Sequence, residues 1–211
     1  MSKSKGDRGR RGYHHGNLRE ALVQAALDLI EKYGPAGFSF AEITRAVGVS
    51  PGAPYRHFRD RDALMADIAR RGFDKLAEYL AKAWGTGEPD PVTAFKAVGR
   101  AYLSFARKEP AFYAAMFEAS LATAEHRELA QASEHAFAEL RRACEAVIEL
   151  LPAAKRPPAL MMSLHVWAMS HGVASLFGRG DAARRTIPMK PEDLLEANLL
   201  IYLDGLGLAQ G

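Results

Sequence analysis

Apolar residues recur along this chain three and four positions apart, the period of an α-helix, and no credible run alternates like a strand. The pattern predicts an all-α chain of about nine helices in two blocks. A first helix runs from about Leu18 to Tyr33, with Leu18, Leu22, Ala25, Leu29 and Tyr33 on one face. Asn17 is its N-cap, Glu20 lies at capping-box spacing, and Gly34 and Pro35 stop it. A second runs from Phe40 to about Val47, capped by Ser39 with Glu42 and ended by Gly48. A third opens with Ser50 as N-cap and Pro51 at the first helical position, and ends near Phe58. Pro54, at its fourth position, removes the first intrahelical hydrogen bond.

Asp60 caps a long helix that reaches Trp84, with Leu64, Ile68, Phe73, Leu76 and Leu80 as its apolar stripe. A linker of Gly85, Thr86, Gly87, Glu88 and Pro89 follows. Five more helical segments run from Pro91 to Arg107, Pro110 to Leu121, His126 to Leu151, Pro158 to Phe177 and Pro191 to Leu206. Each begins at or near a proline, or after a loop rich in breakers. Residues 1–12 carry almost nothing apolar and are expected to form a disordered basic arm. The segment Pro157 to Gly178 holds no Lys, Arg, Asp or Glu. Its histidines, serines and glycine point to a helix buried on most sides of a helical domain rather than a membrane span.

Charge sharpens this picture. Residues 1–71 hold 13 Lys/Arg against 8 Asp/Glu, whereas residues 72–211 hold 15 against 17. The basic excess lies in the first third, where a polyanion would dock, although a solvated basic face gives the same count. The single cysteine, Cys144, sits at an apolar helical position and reads as core. One thiol cannot form an intrachain disulfide, and no apolar run follows the early basic residues, so the expected compartment is the cytoplasm.

The stretch from Phe38 to Leu64, FSFAEITRAVGVSPGAPYRHFRDRDAL, carries the sharpest chemistry. Two short helices joined by a tight turn, with a basic approach on both sides, are laid out as a DNA-reading helix-turn-helix. A reading helix needs small or polar residues at its start, which Ser50, Gly52 and Ala53 supply. Tyr55 and His57 sit where long polar side chains reach the sugar-phosphate rails, and Arg56 and Arg59 add charge. Arg61 opens the next helix against the backbone. Arg45 has two readings, facing DNA or facing solvent.

The run GVSPGAPYRHFRDRDAL, preceded by a capped helix and AEITRAVG, resembles the tetracycline-repressor (TetR) family of bacterial transcription regulators. The likeness covers residues 13–70, with Gly48, Val49, Ser50, Tyr55, His57, Phe58 and Leu64 on the family pattern in order. Pro54 stands where the family commonly has leucine or isoleucine, and Thr44 where it has alanine. The Tyr13-His14-His15-Gly16 lead-in, Ala53-Pro54-Tyr55, and Trp167 with His171-Gly172 resemble the subgroup with a WHG-type C-terminal domain. The resemblance implies a homodimeric repressor of a pseudo-palindromic operator. It implies a DNA-binding domain over 13–60, a connecting helix over 61–84, and a C-terminal domain over 85–211 that binds a small effector and dimerises through its last two helices.

In the C-terminal half, Trp167 and His171 lie four apart on one face, as core packing or as the wall of a ligand pocket. Tyr102, Phe105, Tyr113 and Met116 carry the same two readings. An effector in such surroundings would be hydrophobic or amphipathic. His165 and His171 are six apart and point away from each other on a helix, and His14 and His15 have no partner at ligand spacing, so no metal site is expected. Ala168, Gly172 and Ser175 form a small-residue stripe that admits a close helix, in this chain or a partner. No Ser/His/Asp set, phosphate loop or cofactor motif points to an enzyme. The rival reading is a helical small-molecule sensor or carrier that has lost DNA binding, with Pro54 as the distortion.

Overall fold

The computed structural model describes residues 18–121, 125–178 and 187–208. The basic arm, the Tyr13-His14-His15-Gly16 lead-in and the Asn17 cap lie outside them. Among the described residues there are eight α-helices and no strand. They are α1 (Leu18–Tyr33), α2 (Phe40–Val47), α3 (Arg61–Trp84), α4 (Pro91–Lys108), α5 (Pro110–Phe117), α6 (Arg127–Glu149), α7 (Ala159–Phe177) and α8 (Pro191–Gly205).

The ninth expected helix, from Ser50 to Phe58, is not an α-helix. Residues 51–53 form turns and Pro54–Arg56 a short 3-10 turn. The reason is the missing N–H of Pro54, which would have made the first i→i−4 bond, to Ser50. The chain instead closes tighter loops: the amide of Ala53 donates to the carbonyl of Ser50 at 3.0 Å, and that of Arg56 to Ala53 at 3.3 Å. The amides of His57 and Phe58 both donate to the carbonyl of Pro54.

Two apolar cores organise the chain. The first joins α1, α2 and the start of α3: Leu22, Ile30, Ile43, Leu64, Met65 and Ile68 are fully buried. The Ser39–Glu42 capping box starts α2, and Gly48 at φ 75° ends it in the left-handed region that glycine tolerates. The α1 face differs from the expected one. Leu22, Val23, Ala26 and Ile30 are buried, while Tyr33 is 52% exposed with Lys32 over its ring. The helix is apolar on two sides, so its own periodicity does not choose between them. Both Glu20 carboxylate oxygens accept from the Arg71 guanidinium at 2.6 Å, while its expected capping partner Asn17 lies outside the described residues.

The second core is built on α3, whose 24 residues make a rod about 36 Å long. Asp60 caps it, accepting from the amide of Ala63 at 2.8 Å. Phe73, Leu76 and Leu80 on its later turns share this core with Phe95, Val98, Tyr102 and Phe105 of α4, Leu129 and Leu140 of α6, and Leu195 and Leu199 of α8, which packs on α4 and α7. Cys144 is buried in this core, where burial pushes its thiol up to about 11. A methyl group at Gly99 would lie 3.1 Å from Leu199 and 3.3 Å from Leu195, so glycine sets how closely α4 and α8 approach.

Helix α5 belongs to both cores. Ala111, Ala114 and Ala115 sit in the first, and Tyr113 in the second.

Helix α7 corrects the expectation of burial on most sides. Its length and composition would let it cross a membrane, yet it packs only one face, on Met162, Ser163, Val166, Ser170 and Val173. Leu160, Met161, Leu164 and Leu176 stay open, with Leu200 and Ile201 of α8, at exposures from 40% (Leu200) to 73% (Ile201). Ala168 and Ser175 lie among the exposed α7 residues, and nothing stands within 4 Å of a methyl group built on Gly172.

Candidate nucleic-acid interface and cavity

The turn after α2 presents its polar residues outward. Ser50, Gly52, Tyr55, Arg56 and His57 are exposed and Ala53 is half-buried, while Pro54 and Phe58 point inward and anchor the segment to the first core. Tyr55, 59% exposed, leans edge-on against Phe40 with ring centroids 5.2 Å apart, so its hydroxyl end is held out from the surface. Arg45 is exposed on the last turn of α2. Thr44 is buried in α2, and its hydroxyl donates to the carbonyl of Phe40 at 2.9 Å, which satisfies it without distorting the turn.

Arg61 is held differently. Its guanidinium donates to the carbonyls of Pro35 and Phe38 and lies over the Phe38 ring at 4.8 Å. It fastens the start of α3 to the loop between α1 and α2, and its side chain is 29% exposed.

Behind this surface, Asp67 of α3 is a buried carboxylate that no sequence pattern flagged. It accepts from Arg19 at 2.9 Å, Arg70 at 3.2 Å and Arg71 at 2.9 Å. Arg71 continues to Glu20 and Arg70 to Asp74, at 2.7 Å. The network therefore ties α1 to α3.

In the second core a cavity of about 270 Å³ opens between α3, α6 and α7. Phe73, Leu76 and Leu80 of α3 form one wall, Ser133, Glu134, Ala136, Phe137 and Leu140 of α6 another, and Tyr102, Phe117, Leu164 and Trp167 the rest. Of the six expected pocket residues, Tyr102 and Trp167 line it. Tyr113 and His171 stand one layer back. The hydroxyls of Tyr102 and Tyr113 each lie 3.0 Å from Nδ1 of His171, and the Tyr113 ring stacks on the imidazole. Burial lowers the pKa of His171, raises that of Tyr102 well above the usual phenol range, and pushes Tyr113 up to about 12. All three are therefore uncharged at neutral pH.

Phe105 and Met116 lie elsewhere. Phe105 is fully buried against the ring of Tyr79, and Met116 packs where α5 crosses Gly72 of α3. The α3 and α6 wall escaped the sequence reading because those residues look like any helix stripe until tertiary packing leaves a gap between them. A wider groove of about 770 Å³ runs along α1 and α5, but it is open and half its lining residues are charged, including the Glu20–Arg71 and Lys75–Glu109 pairs.

Two family models match this chain: one described as bacterial regulatory proteins, tetR family, over residues 22–68, and one as tetracyclin repressor-like, C-terminal domain, over residues 95–201. A protein of unknown function from Rhodococcus sp. RHA1 is 30% identical, with 95% of this chain and 100% of that one covered and a TM-score of 0.75. The TetR family transcriptional regulator PfmR from Thermus thermophilus shares the fold at 19% identity and a TM-score of 0.68, over 87% and 97% of the two chains. The HTH-type transcriptional regulator YobS of Bacillus subtilis is 29% identical over 100 residues, 47% of this chain and 51% of its own. The chain thus spans about half the length, or less, of the curated relatives it matches.

Proposed function

We propose that this chain, which belongs to the TetR family of bacterial regulatory proteins, acts as a ligand-responsive repressor that binds a pseudo-palindromic operator as a cytoplasmic homodimer. The observation that carries the reading is the outward set Ser50, Gly52, Tyr55, Arg56 and His57, on a turn pinned inward by Pro54 and Phe58. Its small residues come first and its long polar ones follow, the order that major-groove entry requires. In this reading Ser50, Gly52 and Ala53 meet base edges, and Tyr55, Arg56, His57 and Arg45 grip the phosphate rails. Arg61 serves the same surface indirectly, by holding α3 to the loop before α2.

The dimer reading is supported by the open apolar faces of α7 and α8. Leu160, Met161, Leu164, Leu200 and Ile201 are exposed apolar side chains on two packed helices, the kind of patch that marks an interaction face. In a dimer closed over that face, the two reading turns must sit roughly 34–36 Å apart to meet half-sites one helical turn apart. The cavity then serves as the effector site, with Tyr102 and Trp167 on its wall and Tyr113 and His171 behind.

The test is selection of bound duplexes from random sequence with the full chain, followed by gel shift. Tyr55→Ala is expected to weaken operator binding by roughly tenfold, the scale of one lost contact of about 1–3 kcal/mol. Because Tyr55 is exposed, the variant should keep its melting temperature. Unchanged affinity for the selected duplex, or no selected duplex at all, rejects the reading.

A further inference from the structure

The cavity wall carries an electrostatic bias that a regulatory role alone does not require. Four rings run round it in unbroken contact: Phe73 to Phe117 at 5.6 Å between centroids, Phe117 to Trp167 at 6.5 Å, and Trp167 to Phe137 at 5.9 Å. Tyr102 adds a fifth ring to the wall. Aromatic faces are the negative side of a quadrupole and attract cations. The one ionisable acid or base among the described lining residues, phenols aside, is Glu134, a carboxylate exposed on α6. No Lys, Arg or His is among them.

The layer behind adds no positive charge, because burial keeps the His171 imidazole neutral, and it adds no negative charge, because the Tyr102 and Tyr113 phenols stay protonated. An anion entering the cavity would lose its hydration and meet no counter-charge. A neutral molecule would gain buried apolar area and at most hydrogen bonds with the Ser133 and Tyr102 hydroxyls. A cation with an apolar body gains that area, the cation–π attraction of any ring face it rests on, and the Glu134 carboxylate together. The space of about 270 Å³ corresponds to roughly nine water volumes, room for one substituted ring.

We propose that the cavity takes a compact lipophilic monocation, an aryl- or alkyl-ammonium ion. This deepens the effector reading above and rests on it for the cavity's regulatory role. The chemistry of the cavity itself can be tested without DNA.

The full-length protein is titrated with three probes of similar shape: phenyltrimethylammonium, its uncharged isostere tert-butylbenzene, and benzoate. Trp167 fluorescence is the readout, with Trp84, buried in the core at 8% exposure, as a constant background. The expected order is ammonium first, by about tenfold over the isostere, with benzoate last. In Phe137→Leu, which removes one partly exposed ring, the ammonium should weaken by about threefold while the isostere is little changed. Circular dichroism of this variant confirms its fold. Any other order of affinities, or no quenching by the ammonium up to about 10 mM, overturns the proposal. Release of the selected duplex is measured separately. An ammonium ion that binds as expected but releases no DNA supports the cavity's chemistry and rejects its effector role.

Discussion

The Asp67 network yields a stability prediction whose size follows from its geometry. Asp67→Asn keeps the side-chain volume, so no cavity forms, but it removes the charge that three guanidiniums share at 2.9, 3.2 and 2.9 Å. Its amide nitrogen would also face donors where an acceptor oxygen stood. Breaking a fully buried ion pair costs about 3–5 kcal/mol because the remaining charge is stranded. Here the stranding is partial. Arg19, Arg70 and Arg71 are 44%, 28% and 23% exposed, Arg71 keeps Glu20, and Arg70 keeps Asp74. A reduced cost of about 2 kcal/mol follows. For a chain of this length that lowers the melting temperature by roughly 4–8 °C. The internal control is Glu145→Gln, which breaks an exposed i,i+4 pair with Arg141 at 3.6 Å. It should cost about 0.3–0.5 kcal/mol, near 1 °C. Thermal melts followed by circular dichroism at low salt read both. If Asp67→Asn melts within about 1 °C of the control, the three arginines are not held by this carboxylate and the α1–α3 tie is misread.

Two further outcomes are expected. In Gly72→Ala the new methyl would sit 2.5 Å from Sδ and 2.9 Å from Cγ of Met116, an overpacking cost of about 1–3 kcal/mol; Met116→Ala should relieve it, and strictly additive melting losses in the double mutant would contradict the contact. Acid stability also has a predicted sign. Glu20 lies below its ordinary 4.5, chiefly through its hydrogen bonds from Arg71, while Asp60 and Asp90 lie below 3.8, chiefly through the amides of Ala63 and Thr93. Groups lowered on folding contribute stability above their unfolded values and lose it as pH falls through the folded ones. Melting temperature should therefore hold above about pH 5 and fall below about pH 4, with a shallower fall in Glu20→Gln; an unchanged slope in that variant would remove Glu20 from the acid response.

The first block was legible because its signals are local. Ser39 and Glu42 three apart, Gly48 after Val47, and Asp60 before Arg61 are cap chemistry written in adjacent residues, and each cap formed. Pro54 was legible as the loss of one hydrogen bond; its consequence was not, because replacing a helix by successive tight turns depends on which carbonyls remain within reach. The buried face of α1 was not fully legible, since Val23 and Ile30 compete with Leu29 and Tyr33 until α2 and α5 arrive to choose. Trp167 and Tyr102 were legible as an alternative to core packing. Phe73, Leu76 and Phe137 were not, because a cavity is a shortfall in packing between helices and no single stripe encodes it. The open face of α7 was misread for a related reason. An uncharged helix can be hidden by its own chain or by a second copy, and composition does not say which.

Helix α5 gives the effector reading a physical route. Its eight residues span about 12 Å. Phe117 lines the cavity and Tyr113 stacks on His171, while Ala111, Ala114 and Ala115 pack into the core that carries α1 and α2. Alanine has no rotamers, so that face cannot absorb a displacement by rearranging side chains, and close-packed interiors pass small shifts on rather than damping them. Gly72 and Met116 lock the same helix to α3. An occupant that pushes Phe117 outward therefore moves α5 against α1, the helix that Arg19 and Glu20 tie to α3 through Asp67 and Arg71. A tenfold loss of operator affinity needs only about 1.4 kcal/mol of coupling. An occupant supplies that coupling only by binding the displaced arrangement better than the undisplaced one.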